Sequence, residues 1–136
     1  MIDAINVAAQ TVAVNSSVLF GATRIKTGCT VRHENDSGKF TILKPGIYKV
    51  GYNGNVLVPT GETLAPVSLQ LYQDGELISG TKVTYTPAAL DTVGTVAATA
   101  LIKVLPCCAC SDISLRNVGT TNISITDANI VITREC

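Results

Sequence analysis

The chain has 136 residues, with ten Lys plus Arg balancing ten Asp plus Glu and a single His. That length suits one domain, residues 1–136, with a core large enough to need no metal or disulfide staple. Zero net charge excludes the basic patch that drives nucleic-acid binding.

Charged residues are 15% of the chain against 46% hydrophobic, a low share for a small monomer that must cover itself with polar surface. Strands buried on both faces, or subunits burying surface against each other, account for that balance. Trp is absent and aromatics are 4%, so the expected core is aliphatic. No apolar run approaches the ~20 residues that span a bilayer, and no membrane partner is expected. The start, MIDAINVAAQTVAV, lacks the basic opening and unbroken apolar block of a secretory signal. With Met1 as the natural start, synthesis in the cytoplasm is the expectation.

No helical period is sustained, and strand signals recur between turn residues. Ala4–Ala8, Thr11–Val14, Val18–Phe20 and Thr23–Lys26 read as short strands. Thr30–His33 leads to the polar turn Glu34-Asn35-Asp36-Ser37-Gly38, and Phe40–Leu43 to Lys44-Pro45-Gly46. From Tyr48 the apolar residues alternate as Tyr48, Val50, Tyr52, Val56 and Val58, the period of a half-buried strand. After the loop Pro59–Glu62, Val67, Leu69 and Leu71 alternate up to Asp74-Gly75, a strong hairpin signal. Leu77–Tyr85, interrupted by Gly80, is the expected return arm, and Pro87–Asp91 a loop.

The run TVGTVAATALIKVLP from Thr92 is apolar on both parities, unlike the alternating strands around it. Such a strand needs a second surface to bury against, either a covering loop or a neighbouring subunit. The subunit reading is preferred, with Val96, Ala97, Ala98, Ala100, Leu101 and Ile102 as the expected interface. Asp112–Asn117 is a further strand and Val118–Thr121 a turn. In the last run Ile123 and Ile125 share one parity, while Ala128, Ile130 and Ile132 share the other. Parity cannot change within a regular strand, so a bulge or bend is expected near Thr126-Asp127. About ten short strands without helices argue for an antiparallel β-sandwich or jelly roll.

Phe40, followed after five residues by Gly46-Ile47-Tyr48-Lys49-Val50-Gly51-Tyr52, resembles the signature of the globular head of complement C1q. The spacing matches at Phe40, Gly46, Tyr48 and Tyr52; Val50 departs, being aliphatic where the family usually has Phe. Cys110–Asn117 and Ala128–Arg134 are similar to the family's Gly-Asp-led strand and its closing strand. The upstream half of the signature is not recognisable around Gly28 and His33. The aromatic-poor form is most similar to bacterial and bacteriophage heads. The resemblance implies an all-β jelly roll of the C1q and tumour-necrosis-factor type, packed as a homotrimer and acting as a structural or binding module. No acidic cluster matches the calcium ligands that some animal members carry.

Enzymatic chemistry needs a nucleophile, base or metal set held together. His33, beside Glu34, reads as a surface histidine. Glu34, Asp36, Asp74 and Glu76 flank turns and read as turn chemistry. The five Cys include Cys107-Cys108-Ala109-Cys110 plus Cys29 and Cys136, a spacing that does not make two separated zinc-ligand pairs. Small buried hydrophobes or idle thiols are the preferred reading, with a disulfide or a metal site as alternatives. Tyr72 and Tyr85 read as cross-strand packing, with a sugar-stacking pair as the alternative. No catalysis, cofactor or metal is expected. The expected partners are other copies of the chain, virion or surface proteins, and a cell-surface glycan. The expected location is a bacteriophage virion, or alternatively a bacterial cell or spore surface.

Overall fold

The computed structural model describes residues 1–106 and 111–135. Among these lie twelve strands: β1 Ile2–Asn6, β2 Gln10–Val12, β3 Ala22–Lys26, β4 Val31–His33, β5 Phe40–Ile42, β6 Gly46–Leu57, β7 Val67–Gln73, β8 Glu76–Leu77, β9 Val83–Tyr85, β10 Gly94–Val104, β11 Ser111–Asn117 and β12 Ile123–Arg134. They form two six-stranded antiparallel sheets packed as a jelly-roll sandwich. Sheet I runs β10-β6-β12-β1-β3, with β2 also on β12. Sheet II runs β4-β5-β11-β7-β8, with β9 also on β7.

Two segments differ from expectation. Val18–Phe20 forms no strand; Ser17 bridges Arg116 and Phe20 bridges Ser37, each singly. Val18 and Phe20 are nonetheless fully buried, so the apolar spacing there records core packing without a ladder. The return arm after Asp74-Gly75 is split into β8 and β9, both pairing with β7, with Gly80 at a φ of 85° between them. At the hairpin itself Asp74 and Gly75 take φ values of 52° and 84°, the double positive φ of a tight two-residue turn.

Strand β6 behaves as its alternation predicts. Tyr48, Val50, Tyr52, Val56 and Val58 are buried while Lys49 and Asn53 are exposed. Its two tyrosines bring polar tips into an apolar core, and both tips are satisfied. The Tyr48 hydroxyl donates to the Lys44 carbonyl at 2.7 Å, and the Tyr52 hydroxyl to the Thr81 carbonyl at 2.7 Å. Burial pushes the Tyr52 phenol far above the ordinary tyrosine value of 10.0. Tyr48 moves the same way, burial outweighing the opposing Arg134 guanidinium.

The expected bulge is present in β12. Thr126 pairs with Asn55 and Asn129 with Asn53, so Asp127 and Ala128 together face the single residue Gly54. Asp127 takes a φ of 53° there. The extra residue carries the buried set from Ile123 and Ile125 to Ala128, Ile130 and Ile132. Gly54 makes the room: a Cβ on it would lie 2.8 Å from Ile125 Cδ1.

Two outcomes follow from this packing. Gly54→Ala destabilises the fold by about 1–3 kcal/mol through overpacking. Combined with Ile125→Val, which deletes the crowded Cδ1, part of that cost is recovered in a urea-unfolding double-mutant cycle. The second concerns pH. A folded-state tyrosine pKa above 10 means that the folded chain holds protons which the unfolded chain releases, so stability is complete below pH 10 and falls as pH rises beyond it. Tyr52→Phe makes that alkaline fall shallower, at a cost of about 1 kcal/mol at neutral pH for the lost hydrogen bond, both read from denaturant midpoints.

Candidate assembly surface

Strand β10 is an edge strand, paired on one side with β6 from Gly94↔Val56 to Val104↔Gly46. This register points its even-numbered side chains into the sandwich and its odd-numbered ones out. Val96 and Ile102 are 5% and 4% exposed within the chain's own core, and Ala98 packs against that core. Ala100 shares their parity and is half-buried. Ala97 and Leu101 point outward, Leu101 with 64% of its surface exposed. The expected interface set therefore divides. Val96 and Ile102 are occupied by their own chain, and only the odd face of β10 is open to another surface. The physical reason is the pleat: one register cannot offer both parities to a partner. The sequence showed that the strand is apolar twice over, without showing which half the sandwich itself would fill.

The open face continues across sheet I in rows of paired residues. One row is Leu101, Lys49 and Thr133; the next is Thr99, Gly51, Val131, Asp3 and Ile25; a third is Ala97, Asn53, Asn129 and Ile5. Along β10 and the middle of β6 small side chains (Ala97, Thr99, Gly51) lie between Leu101 and the polar Lys49 and Asn53, and toward β3 aliphatic ones appear, with Ile25 39% exposed. The carboxylate among them is tied down. Asp3, 4% exposed, accepts hydrogen bonds from the Arg24 guanidinium and the Asn129 side-chain amide.

Sheet II presents a different outer face. Arg32, Thr41, Asp112, Ser114, Arg116 and Gln70 point outward there. They are cross-linked by hydrogen bonds such as Thr41 Oγ1 to Asp112 Oδ1 at 2.8 Å and Ser68 Oγ to Thr84 Oγ1 at 3.1 Å. One face of the sandwich is thus small and partly apolar, the other polar and internally bonded.

His33 is half-buried and not the surface residue expected. Its ring stacks on Phe40 with centroids 4.3 Å apart. Nε2 lies 2.8 Å from the Ser37 carbonyl, which can only accept, so this nitrogen donates there, and Nδ1 is hydrogen-bonded with the Thr23 hydroxyl at 3.1 Å. Both ring nitrogens are thus engaged with neighbouring segments of the fold. Glu34, Asp36, Asp74 and Glu76 are exposed at turns. Tyr72 and Tyr85 do not meet: Tyr72 opposes Leu77 near one end of β7, and Tyr85 opposes Val67 at the other. The Tyr85 ring instead covers Gly94, where a Cβ would lie 2.5 Å from ring carbons. Cys29 is an exposed free thiol, whereas Cys107, Cys108, Cys110 and Cys136 lie outside the described residues. Among the described residues, no three His, Cys, Asp or Glu side chains are grouped to hold a metal ion.

No protein-family model matches the chain, and no curated protein matches its sequence. Solved structures do match its fold. The globular domain of a zebrafish complement 1qA protein superposes with a TM-score of 0.63 at 12% identity, over 98% of both chains. Eiger, a tumour necrosis factor from S. frugiperda, gives 0.74 at 11% identity, over 99% of this chain and 92% of that one. The vertex protein P5 of phage PRD1 gives 0.56 at 16% identity, over 99% and 96%. The fold is therefore the C1q and tumour-necrosis-factor type of jelly-roll head.

Proposed function

We propose that the protein is a non-enzymatic structural or adhesive head that works as a homotrimer in a bacteriophage virion, as a capsid-decorating or fibre-head protein. The observation that carries the assembly claim is the outward face of sheet I. Leu101 stands 64% exposed beside Thr99, Ala97 and Gly51, where small side chains allow another backbone to come close. An apolar side chain of that size gains about 1.5–3 kcal/mol on burial, and a threefold assembly collects the gain three times. The virion setting is supported by the fold shared with a phage vertex protein. In this setting the partners are other copies of the chain and neighbouring virion proteins, with no cofactor.

A second reading, a bacterial surface or exosporium head that binds host glycans, is favoured by a polar hollow on the outer face of sheet II. Binding to a glycan array supports this reading, and an array without binders counts against it.

Sedimentation equilibrium at micromolar concentration is expected to give three times the 14.2 kDa chain mass. Leu101→Asp lowers the mass to that of a monomer while the far-ultraviolet circular dichroism stays unchanged. Ala98→Lys acts differently, because its side chain faces the sandwich; it lowers the unfolding midpoint itself. A wild-type chain that sediments as a monomer refutes the assembly claim. A trimer that survives Leu101→Asp moves the contact away from this face.

A further inference from the structure

On the outer face of sheet II the β7–β8 turn, the start of β5 and the strand β11 enclose a hollow of about 430 Å³. That volume is in the range of small-ligand sites. Its rim is fixed by close contact between two loops: a Cβ on Gly38 would lie 2.8 Å from the Val18 carbonyl and 2.9 Å from Ser17 Cβ.

The charged groups of the hollow differ in how far they are already used. Both oxygens of Asp74 are engaged, Oδ1 by the Asp112 backbone N–H and Oδ2 by the Ser111 hydroxyl, each at 2.9 Å. Asp112 Oδ1 accepts from Thr41, and its Oδ2 lies 3.9 Å from Lys39 Nζ. The two carboxylates therefore serve the fold. The cations are left with capacity. Lys39 has a side chain 64% exposed and only that long contact, while an ammonium offers three donors. The Arg116 guanidinium lies over the Tyr72 ring, 4.5 Å from its centroid. This cation–π contact occupies no hydrogen-bond acceptor, so the guanidinium retains N–H donors for a bidentate carboxylate. Three serines, Ser17, Ser37 and Ser114, complete the lining with hydroxyls that can both donate and accept.

We propose that this hollow binds an acidic saccharide, a sugar ring bearing a carboxylate, with the carboxylate on Arg116 and Lys39 and the ring hydroxyls on the serines. A neutral sugar offers the Arg116 guanidinium no carboxylate to grip and engages the serines alone. A bare inorganic anion can accept from the serine hydroxyls but donates nothing back to them, whereas sugar hydroxyls do both. The hollow's own carboxylates cancel its long-range attraction, so affinity comes from short contacts and falls in the millimolar range. This deepens the adhesive part of the reading above and rests on that part alone. One chain builds the whole site, so its test does not depend on the assembly state.

The test is a titration of the ¹⁵N-labelled protein with sodium glucuronate, glucose and sodium sulfate at matched ionic strength. Glucuronate is expected to shift the amide resonances of Lys39, Ser114 and Arg116 saturably, with glucose and sulfate at least about tenfold weaker. Arg116→Gln and Lys39→Gln each weaken glucuronate about fivefold or more, while resonances away from the hollow stay in place and show that the variants are folded. The proposal is overturned by the absence of saturable shifts at these amides up to about 50 mM glucuronate. It is equally overturned by glucose or sulfate binding as well as glucuronate, or by variants that bind undiminished. A solution mass below that of a trimer, with glucuronate still bound, rejects the assembly and leaves the hollow standing.

Discussion

Strand β6 is hydrogen-bonded along nearly its whole length on both sides, to β10 and to β12, and this double pairing sets the register of sheet I. A slip of one residue on either side would turn Tyr48, Val50, Tyr52 and Val56 out of the core. The pairing with β12 nevertheless has to absorb one surplus residue, since β12 carries its apolar side chains on two parities. Gly54 is where it does so. Without a side chain there, Ile125 Cδ1 fills the space and Ala128 sits close by. The gap in the alternation of β6 and the parity change in β12 are thus one feature seen from two strands.

Each half of that feature was visible in the sequence, but their coincidence was not. The missing apolar residue at Gly54 and the switch near Thr126-Asp127 lie far apart along the chain, and only the register brings them opposite each other. Local signals were legible for the same reason throughout. Period-two alternation and the Asp74-Gly75 turn are properties of neighbouring residues, and they located β6, β7 and the hairpin. Segments whose burial comes from tertiary packing were misread. Val18–Phe20 alternates like a strand because the core takes Val18 and Phe20, while its backbone bonds go to Leu115 and Ser37 in separate bridges. The β10 set divides on the same ground: two apolar parities identify a strand with two surfaces to fill, and the partner of each surface depends on the fold. The hollow on sheet II had no sequence signal at all, since Lys39, Asp74 and Arg116 meet only through the pairing of β5, β7 and β11.

The ion pair of Asp3 with Arg24, joined by Asn129, lies on a face that otherwise mixes small, aliphatic and polar side chains, Lys49 and Asn53 among them. A carboxylate 4% exposed costs free energy to desolvate, and a well-packed apolar pair would often be at least as stable. Its position explains its use. It lies where β3, β1 and β12 run side by side, and it bonds residues from all three. Directional bonds fix the lateral order of these strands where aliphatic packing alone would tolerate small shifts. They also keep the carboxylate neutralised if a second chain covers the face, since an unpaired buried charge would oppose assembly by several kcal/mol.

The two sheets divide the surface in a way that makes weak recognition useful. A head that assembles through sheet I leaves sheet II, and with it the hollow, facing away from the contact. In the proposed trimer, three such hollows would face a surface that displays many copies of the same sugar. Each contact then raises the effective concentration for the next, and millimolar single-site affinity becomes tight attachment if the spacing permits simultaneous engagement. The hollow's balanced charge fits that regime. In the proposed site Arg116 and Lys39 would discriminate by geometry at short range, while Asp74 and Asp112 would cancel the field that holds a particle to any anionic surface. A site with uncancelled cations would bind one anion more tightly and distinguish among anions less well, so in the proposed multivalent head low intrinsic affinity would be the physical condition for selectivity.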